Sequence, residues 1–403
     1  MVKRVVVIMA GLMLIALAGT AMAAEKVRLG LITPLSGSLA MGGEQARNGL
    51  TLALEKKGTL FGKEIELVIA DAPDATKAKS NMERLYGTEN LAIVFGGYGS
   101  SLEDAWQRVA MEQKKLCLGT VNWADKLTEH GNPYYFRYAA TVSSLARELV
   151  NFLNFAGPEY LKKDPKTLQV IVVHSDQTSD VAKPAIDFLK NDGYANVDVQ
   201  SYPSATSDFN SLLMKIRAAR PDVLILYQYS ADGLAFRRQM ASMNFEPSLT
   251  IGGGLIYDQP EFAGLPKEVA DGCMAVSYTN PAMSPAQAPG LTEFKEKYIQ
   301  RYGHVPLTHA LIAYAAGLAY LEAIERTGSL DVEAVRATLQ TFEIKPGVGP
   351  AYWGCKFNEK GQNIMATPAV IAQWKQGVYT VVHPAELAVG TLELPLKPFS
   401  DRK

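Results

Sequence analysis

The stretch Leu91 to Trp106, LAIVFGGYGSSLEDAW, restricts the possible folds more than any other part of the chain. Leu91–Phe95 is an unbroken apolar run of strand length. It lacks the alternation of a sheet with one wet face, so it reads as a strand covered on both sides. Gly96, Gly97 and Gly99 then permit a sharp turn and close approach to the backbone. Ser100 or Ser101 reads as a helix N-cap, each with an acid three residues on, Glu103 or Asp104, as in a capping box. Strand, glycine turn and capped helix leave N–H groups and hydroxyls at the carboxyl edge of a sheet, where open α/β sheets bind ligands. The same pieces also describe an ordinary helix after a strand, so the motif alone does not decide the matter. At such a site Glu103 and Asp104 would repel a dianion, which disfavours phosphate; a carboxylate or a neutral polar group fits.

The strand–loop–helix rhythm extends in both directions. Val27–Ile32 is expected as a strand, followed by the loop TPLSGSLAMGGEQ and a helix from about Glu44 to Lys57. Ile65–Ala70 is the second strand and Asp74–Tyr86 a helix; Lys115–Leu118 is the fourth strand, ending in GTVNWAD. Strands that are each followed by a helix predict a parallel sheet with right-handed crossovers. After a strand-like Tyr134–Tyr138, a helix over about Ser143–Phe155 and the polar PEYLKKDPK, the pattern restarts at Val170–His174. Val197–Tyr202, Val223–Tyr227, Leu249–Gly252 and Met274–Ser277 are the next strands. Helices are expected near 291–302, 309–327 and 332–340, then β segments at 352–357, 369–373 and 378–382. Pro384–Lys403 reads as an extended tail. The fold class is α/β, with two similar units sharing a C-terminal portion.

Composition narrows the setting. Lys3 and Arg4 precede an apolar core from Val5 to Ala18, and Ala21-Met22-Ala23 is a small-x-small site, the pattern of a secretory signal peptide cleaved after Ala23. Without Lys3 and Arg4, 38 basic residues face 41 acidic ones, so no basic excess speaks for nucleic acid or an anionic membrane. Three cysteines allow at most one intramolecular disulfide; Cys117 sits in an apolar run, which leaves Cys273 with Cys355 as the pairing to test. The chain has no Gly-x-Ser-x-Gly elbow, Walker loop, His-Glu-x-x-His or Cys-x-x-Cys, so no cofactor, metal or catalytic centre is expected. His174 and His309 could each face a cleft, and a secreted hydrolase would need one of them within hydrogen-bond reach of a serine. More telling are the residues at strand ends: Asn122 and Trp123, Tyr227 and Tyr229, and Tyr257. Tyr and Trp combine an apolar face with one polar handle, which suits clasping a small organic molecule.

Five segments carry a resemblance to a known family. VRLGLITPLSGSLAMGGEQARNGLTLALE, FGGYGSS, LTEHGNPYYFRYAAT, ATSDFNSLLMKIRAARPDVLIL and AYAAGLAYLEAIERTGSLD, in this order, resemble the type I periplasmic solute-binding proteins of ABC importers, of the leucine/isoleucine/valine-binding kind. The resemblance implies two Rossmann-like lobes joined by three crossovers, near Tyr138–Thr141, Ala275–Tyr278 and Pro346–Tyr352. Lobe 1 would be 24–140 plus 278–350, lobe 2 would be 141–277 plus 351–380, and 381–403 the tail. It implies a monomeric, non-enzymatic periplasmic receptor whose partners are a small-molecule ligand and an inner-membrane permease. The DNA-binding regulators that share the fold are excluded by the signal peptide and by the lack of a helix-turn-helix.

The site residues carry over unevenly. Ser100, with Gly99 and Ser101, matches the family's carboxylate-binding serine loop. Val121, Asn122 and Trp123 fall where amino-acid binders have small residues and a threonine. Ser179 falls where a lobe-2 tyrosine often sits, Gly42 where another aromatic is common, and Tyr229 or Ser230 at a further contact; Tyr257 completes the expected set. The acid that meets a ligand ammonium aligns near Gly254. Without it an ammonium would be buried unpaired, at a cost of several kcal/mol, unless Asp176, Asp232 or Asp258 substitutes. The ligand is therefore expected to be a branched-chain amino acid or a related amide or carboxylate, with a sensor-type binder of aromatic acids or amides as the alternative. A Trp123 ring facing the ligand favours a planar group over leucine; a Trp123 pointing into lobe 1, with a nearby Asp supplying the missing charge, leaves an ordinary amino-acid binder.

Overall fold

The computed structural model describes residues 26–402 apart from Ser38, so the expected signal peptide and its cleavage site lie outside the described residues. Two sheets organise the chain. The first contains β1 (Val27–Thr33), β2 (Thr59–Leu60), β3 (Lys63–Asp71), β4 (Ile93–Gly96), β5 (Leu116–Gly119) and β6 (Tyr135–Arg137), in the order β2-β3-β1-β4-β5-β6. Its pairings are parallel except for the β2–β3 hairpin. The connections carry helices α1 (Ala40–Lys57), α2 (Ala75–Tyr86) and α3 (Ser100–Gln113). Every residue of β4 and β5 is buried, as their unbroken apolar sequences require, whereas β3, nearer an edge, mixes exposed and buried positions.

The second sheet contains β7 (Gln169–Ser175), β8 (Asn196–Tyr202), β9 (Val223–Tyr227), β10 (Leu249–Gly252) and β11 (Met274–Ser277), all parallel. Its helices are α4 (Val142–Ala156), α5 (Ser179–Asn191), α6 (Asn210–Ala218), α7 (Ser230–Ser242) and α8 (Lys267–Ala270). The chain then returns to the first sheet with α9 (Leu291–Tyr302), α10 (Thr308–Thr327) and α11 (Val332–Thr341). A two-stranded ribbon, β12 (Glu343–Ile344) with β13 (Cys355–Lys356), follows. β14 (Val370–Lys375) and β15 (Val378–His383) then extend the second sheet antiparallel from β11.

The return is fixed by close helix packing. A Cβ on Gly49 of α1 would stand 2.1 Å from the Ala310 carbonyl oxygen of α10, and one on Gly317 would stand 2.7 Å from the Ala53 Cβ. Backbone contact of this kind needs glycine. α10 is buried along most of its length, and His309 in its first turn meets Tyr98, in the loop after β4, and Trp123, in the loop after β5.

Two details differ from the sequence reading. The N-cap of α3 is Gly99, at φ 102°, and no side chain caps the helix; Ser100 is its first helical residue. Cys117, Cys273 and Cys355 are buried free thiols, and Cys273 and Cys355 pack in separate hydrophobic clusters, so the expected disulfide is absent. Beyond β15, the last residues are strapped to the second sheet. The Leu396 N–H donates to the Ser248 carbonyl at 2.9 Å, and the Phe399 ring lies 4.6 Å from the Arg237 guanidinium and 4.4 Å from that of Arg402. Both arginines pair with Glu246 at 2.7 Å. This strap borders a cavity of about 760 Å³ at the amino ends of β10 and β11, the edge opposite the site described next.

Candidate functional site

On the first sheet the site begins where β4 ends. A Cβ on Gly97 would stand 2.3 Å from the Thr33 side chain, so the glycine loop lies directly on the end of β1. Gly99 turns the chain into α3, whose first N–H groups have no acceptor within the helix. Ser100 is half-buried, with its Oγ accepting from the Ala124 N–H at 3.4 Å, and Ser101 is exposed. This contact ties the start of α3 to the loop after β5, which carries Val121, Asn122 and Trp123.

Those three residues divide their roles. Val121 is fully buried. Asn122 is also buried, and its amide donates to the Gly97 carbonyl at 2.8 Å and to Glu103 Oε2. Its amino group therefore fastens the two loops together, so that end of the amide is already engaged within the first unit. Trp123 is half-buried and presents the wall. Its ring stacks on His309 with centroids 5.5 Å apart and planes at 22°, while Tyr278 meets it edge-on at 4.7 Å. Tyr98 meets His309 edge-on at 4.8 Å. A Cβ on Gly42 would stand 2.5 Å from the Tyr98 ring, so Tyr98 occupies the place a side chain at 42 would take. His309 comes from the first turn of α10 and has no hydrogen-bond partner for Nε2. Burial lowers its pKa to about 4, so the imidazole is neutral at neutral pH.

The second sheet supplies the facing side. The position of a Cβ on Gly254 is 3.9 Å from the Trp123 ring. Tyr229, 47% exposed, is the residue before α7, and exposed Ser230 is the first residue of that helix. Asp258 ends the short turn after Gly254; its Oδ2 accepts from Ser277 Oγ at 3.0 Å, and burial raises its carboxyl to about 6. Burial first, then the nearby Tyr229 and Asp258 charges, push the Tyr98 phenol up to about 12, which records how near the two sides stand.

Other expected contacts turn inward. Tyr257 is fully buried and its hydroxyl donates to Gln228, whose amide donates to the Tyr202 hydroxyl at 2.9 Å. Tyr202 in turn donates to Asp232. Tyr257 and Asp232 thus belong to the interior of the second unit. Ser179 donates to the Asp176 carbonyl at 3.0 Å, and the Asp176 carboxylate accepts from the Ser204 N–H at 3.0 Å. Of the three acids considered as ammonium partners, Asp258 is the one beside the Trp123 wall. Among the described residues neither His174 nor His309 hydrogen-bonds a serine side chain, and no cluster of His, Cys, Asp and Glu could hold a metal ion.

Loops at the carboxyl ends of two parallel sheets that meet at Trp123 and Gly254, with a serine-bearing helix start on one of them, describe a receptor architecture, and comparison with known proteins agrees. The periplasmic binding protein family matches residues 26–378. This chain belongs to that family. The Leu/Ile/Val-binding protein homolog 7 of Brucella melitensis is 32% identical over 389 residues, covering 94% of this chain and 96% of its own. Among solved structures, the branched-chain amino acid transporter substrate-binding protein LivJ of Streptococcus pneumoniae, in complex with isoleucine, superposes with a TM-score of 0.73. It has 20% identity and covers 89% of this chain and 100% of its own. A solute-binding protein of an R. palustris ABC transporter, in complex with benzoate, gives 0.72 at 19% identity, covering 93% and 100%.

In this periplasmic binding protein the site also reaches the connection between the units. Arg137, fully buried, donates to the Ala124 carbonyl at 2.5 Å, to Thr128 Oγ1 at 3.1 Å and to Gln362 Oε1 at 2.6 Å. It therefore ties the loop behind Trp123 to the segment between β13 and β14. In the sequence Tyr98 reads as one more residue of a glycine loop, and only the missing side chain at Gly42 hints at its place.

Proposed function

We propose that this periplasmic binding protein is the solute-binding component of an ABC importer, holding one small polar organic molecule between two lobes. Lobe 1 is taken as 24–140 plus 278–350, lobe 2 as 141–277 plus 351–380, and 381–403 as the tail. The observation that carries the reading is the convergence of the Gly99–Ser100 helix start and the Trp123–His309 stack on one side with Gly254 and Tyr229 on the other. Ser100 and the free N–H groups of α3 suit a carboxylate or carbonyl. The flat wall suits a planar group. With glycine at 254, a planar carboxylate or amide is favoured over leucine, and Asp258 is the residue that would restore amino-acid binding. The relatives span both classes, since LivJ holds isoleucine and the R. palustris protein holds benzoate. The protein acts as a monomer, released after cleavage at Ala23, and delivers its ligand to an inner-membrane permease without chemical change.

Mass spectrometry of copurifying molecules, followed by calorimetry with isoleucine and benzoate, tests the proposal. Tight benzoate and weak isoleucine binding supports the planar reading. Tight isoleucine binding that collapses in Asp258→Asn returns the protein to the amino-acid binders. A protein that binds neither and no copurifying molecule overturns the assignment.

A further inference from the structure

Glu103 lies directly beneath the proposed ligand loop and is not used by it. It is one helical turn from Ser100 and is fully buried. Its Oε2 accepts from Asn122, while Oε1 faces the Trp106 Nε1 and Tyr135 hydroxyl donors. The space it occupies exists because residues 96 and 119 are glycine: a Cβ on either would stand 2.4 Å or 2.6 Å from Oε1. Trp106 Nε1 of the same helix and the Tyr135 hydroxyl of β6 border this space, and among the described residues neither has a partner other than the Glu103 carboxyl. Cys117 of β5 and Tyr320 of α10 complete the surroundings, both with protonation pushed up by burial first. Arg137, the cation that acts on Glu103, directs its donors at Ala124, Thr128 and Gln362. On the outer face of α3, Asp104 pairs with His130 at 2.6 Å and with Arg108 at 3.2 Å.

We propose that Glu103 takes up a proton when a carboxylate binds at the start of α3, so that this side chain decides between anionic and neutral ligands. The proposal rests on the reading of that loop as the ligand site. An ionised Glu103, hydrogen-bonded but without an ion-pair partner among the described residues, places a buried charge within a turn of the bound anion, and it opposes the positive end of the helix that would hold that anion. A proton from solvent on Oε1 removes the repulsion and leaves Oε2 free to accept from Asn122. Burial, partly offset by the Asn122 hydrogen bond, Arg137 and the Tyr135 and Trp106 donors, already holds the carboxyl at about 7, so the proton is available at neutral pH. A neutral amide ligand would gain nothing from protonation.

Calorimetry of benzoate, isoleucine and benzamide, in buffers of differing ionisation enthalpy between pH 6 and 8, is decisive. Binding of the carboxylate ligand should take up a fraction of a proton, and its affinity should rise on acidification by up to about tenfold per pH unit. Benzamide should show neither effect. Glu103→Gln keeps an acceptor for Asn122 and should bind the carboxylate with no dependence on pH. Carboxylate binding without proton uptake in the wild type, or unchanged uptake in Glu103→Gln, overturns the proposal and leaves the site reading intact. Failure of all three probes at every pH overturns both.

Discussion

At the residue scale, the site depends on side chains whose partners are already set. Among the described residues the Ser100 hydroxyl accepts from the Ala124 N–H at 3.4 Å, a long contact that leaves it able to meet a ligand oxygen. Ser100→Ala should weaken ligand binding by about 1–3 kcal/mol, the scale of a hydrogen bond to a charged group, with little change in melting temperature; calorimetry paired with thermal melts checks it. Glu103 acts on stability as well as on binding. Its folded pKa of about 7 stands above the ordinary carboxylate value, so between those values the folded protein binds more protons than the unfolded chain. Stability from this group is therefore present at low pH and is lost as pH rises towards 7, with no further loss above. Glu103→Gln removes the loss. Relative to wild type it should gain about 3 kcal/mol between pH 4.5 and 8, read from urea midpoints at each pH.

At the scale of elements, one helix pair positions the wall. α10 carries His309 to Trp123 only because α1 allows its backbone to approach at Gly49. Gly49→Ala would place a methyl carbon 2.1 Å from the Ala310 carbonyl oxygen, next in sequence to His309, and the helices would have to separate. We expect a loss of about 3 kcal/mol or more, at the upper end for overpacking, together with weaker ligand binding as His309 leaves Trp123. Gly264→Ala, where a Cβ would meet nothing within 4 Å, serves as the control and should be nearly neutral. Equal melting temperatures for the two variants would refute this account.

For the whole molecule, the three passages between sheets leave few connections to resist a change in their relative orientation, and Arg137 links the site loop to one of them through Gln362. A ligand touched from both sides stabilises only the closed arrangement. At a ligand concentration a hundred times Kd the unfolding free energy should rise by about 2.7 kcal/mol. Small-angle scattering should show a smaller radius of gyration with ligand, and an unchanged envelope at saturation counts against hinge closure. Arg137→Met should keep part of the affinity and reduce the change in radius.

The chain order of strands and helices was legible in the residues, because a doubly covered strand must be apolar throughout and a parallel crossover must contain a helix. Val27–Thr33, Ile93–Gly96 and Leu116–Gly119 became strands for that reason, and the glycines after Phe95 marked where a helix start would lie open at the sheet edge. What local pattern cannot contain is the direction in which a side chain at a strand end points. Asn122 and Tyr257 have the chemistry of ligand contacts, yet packing turned both inward, onto Glu103 and Gln228. Glu103 read as a capping acid on a wet helix start, but glycines at 96 and 119 opened a buried space that only the pairing of β4 with β5 brings together. His309 stands 186 residues beyond Trp123, and the contact between them follows from the return of α10 to the first sheet. Periodicity is a property of neighbours in sequence, whereas a binding face is assembled from neighbours in space, and only the tertiary structure decided which residues those were.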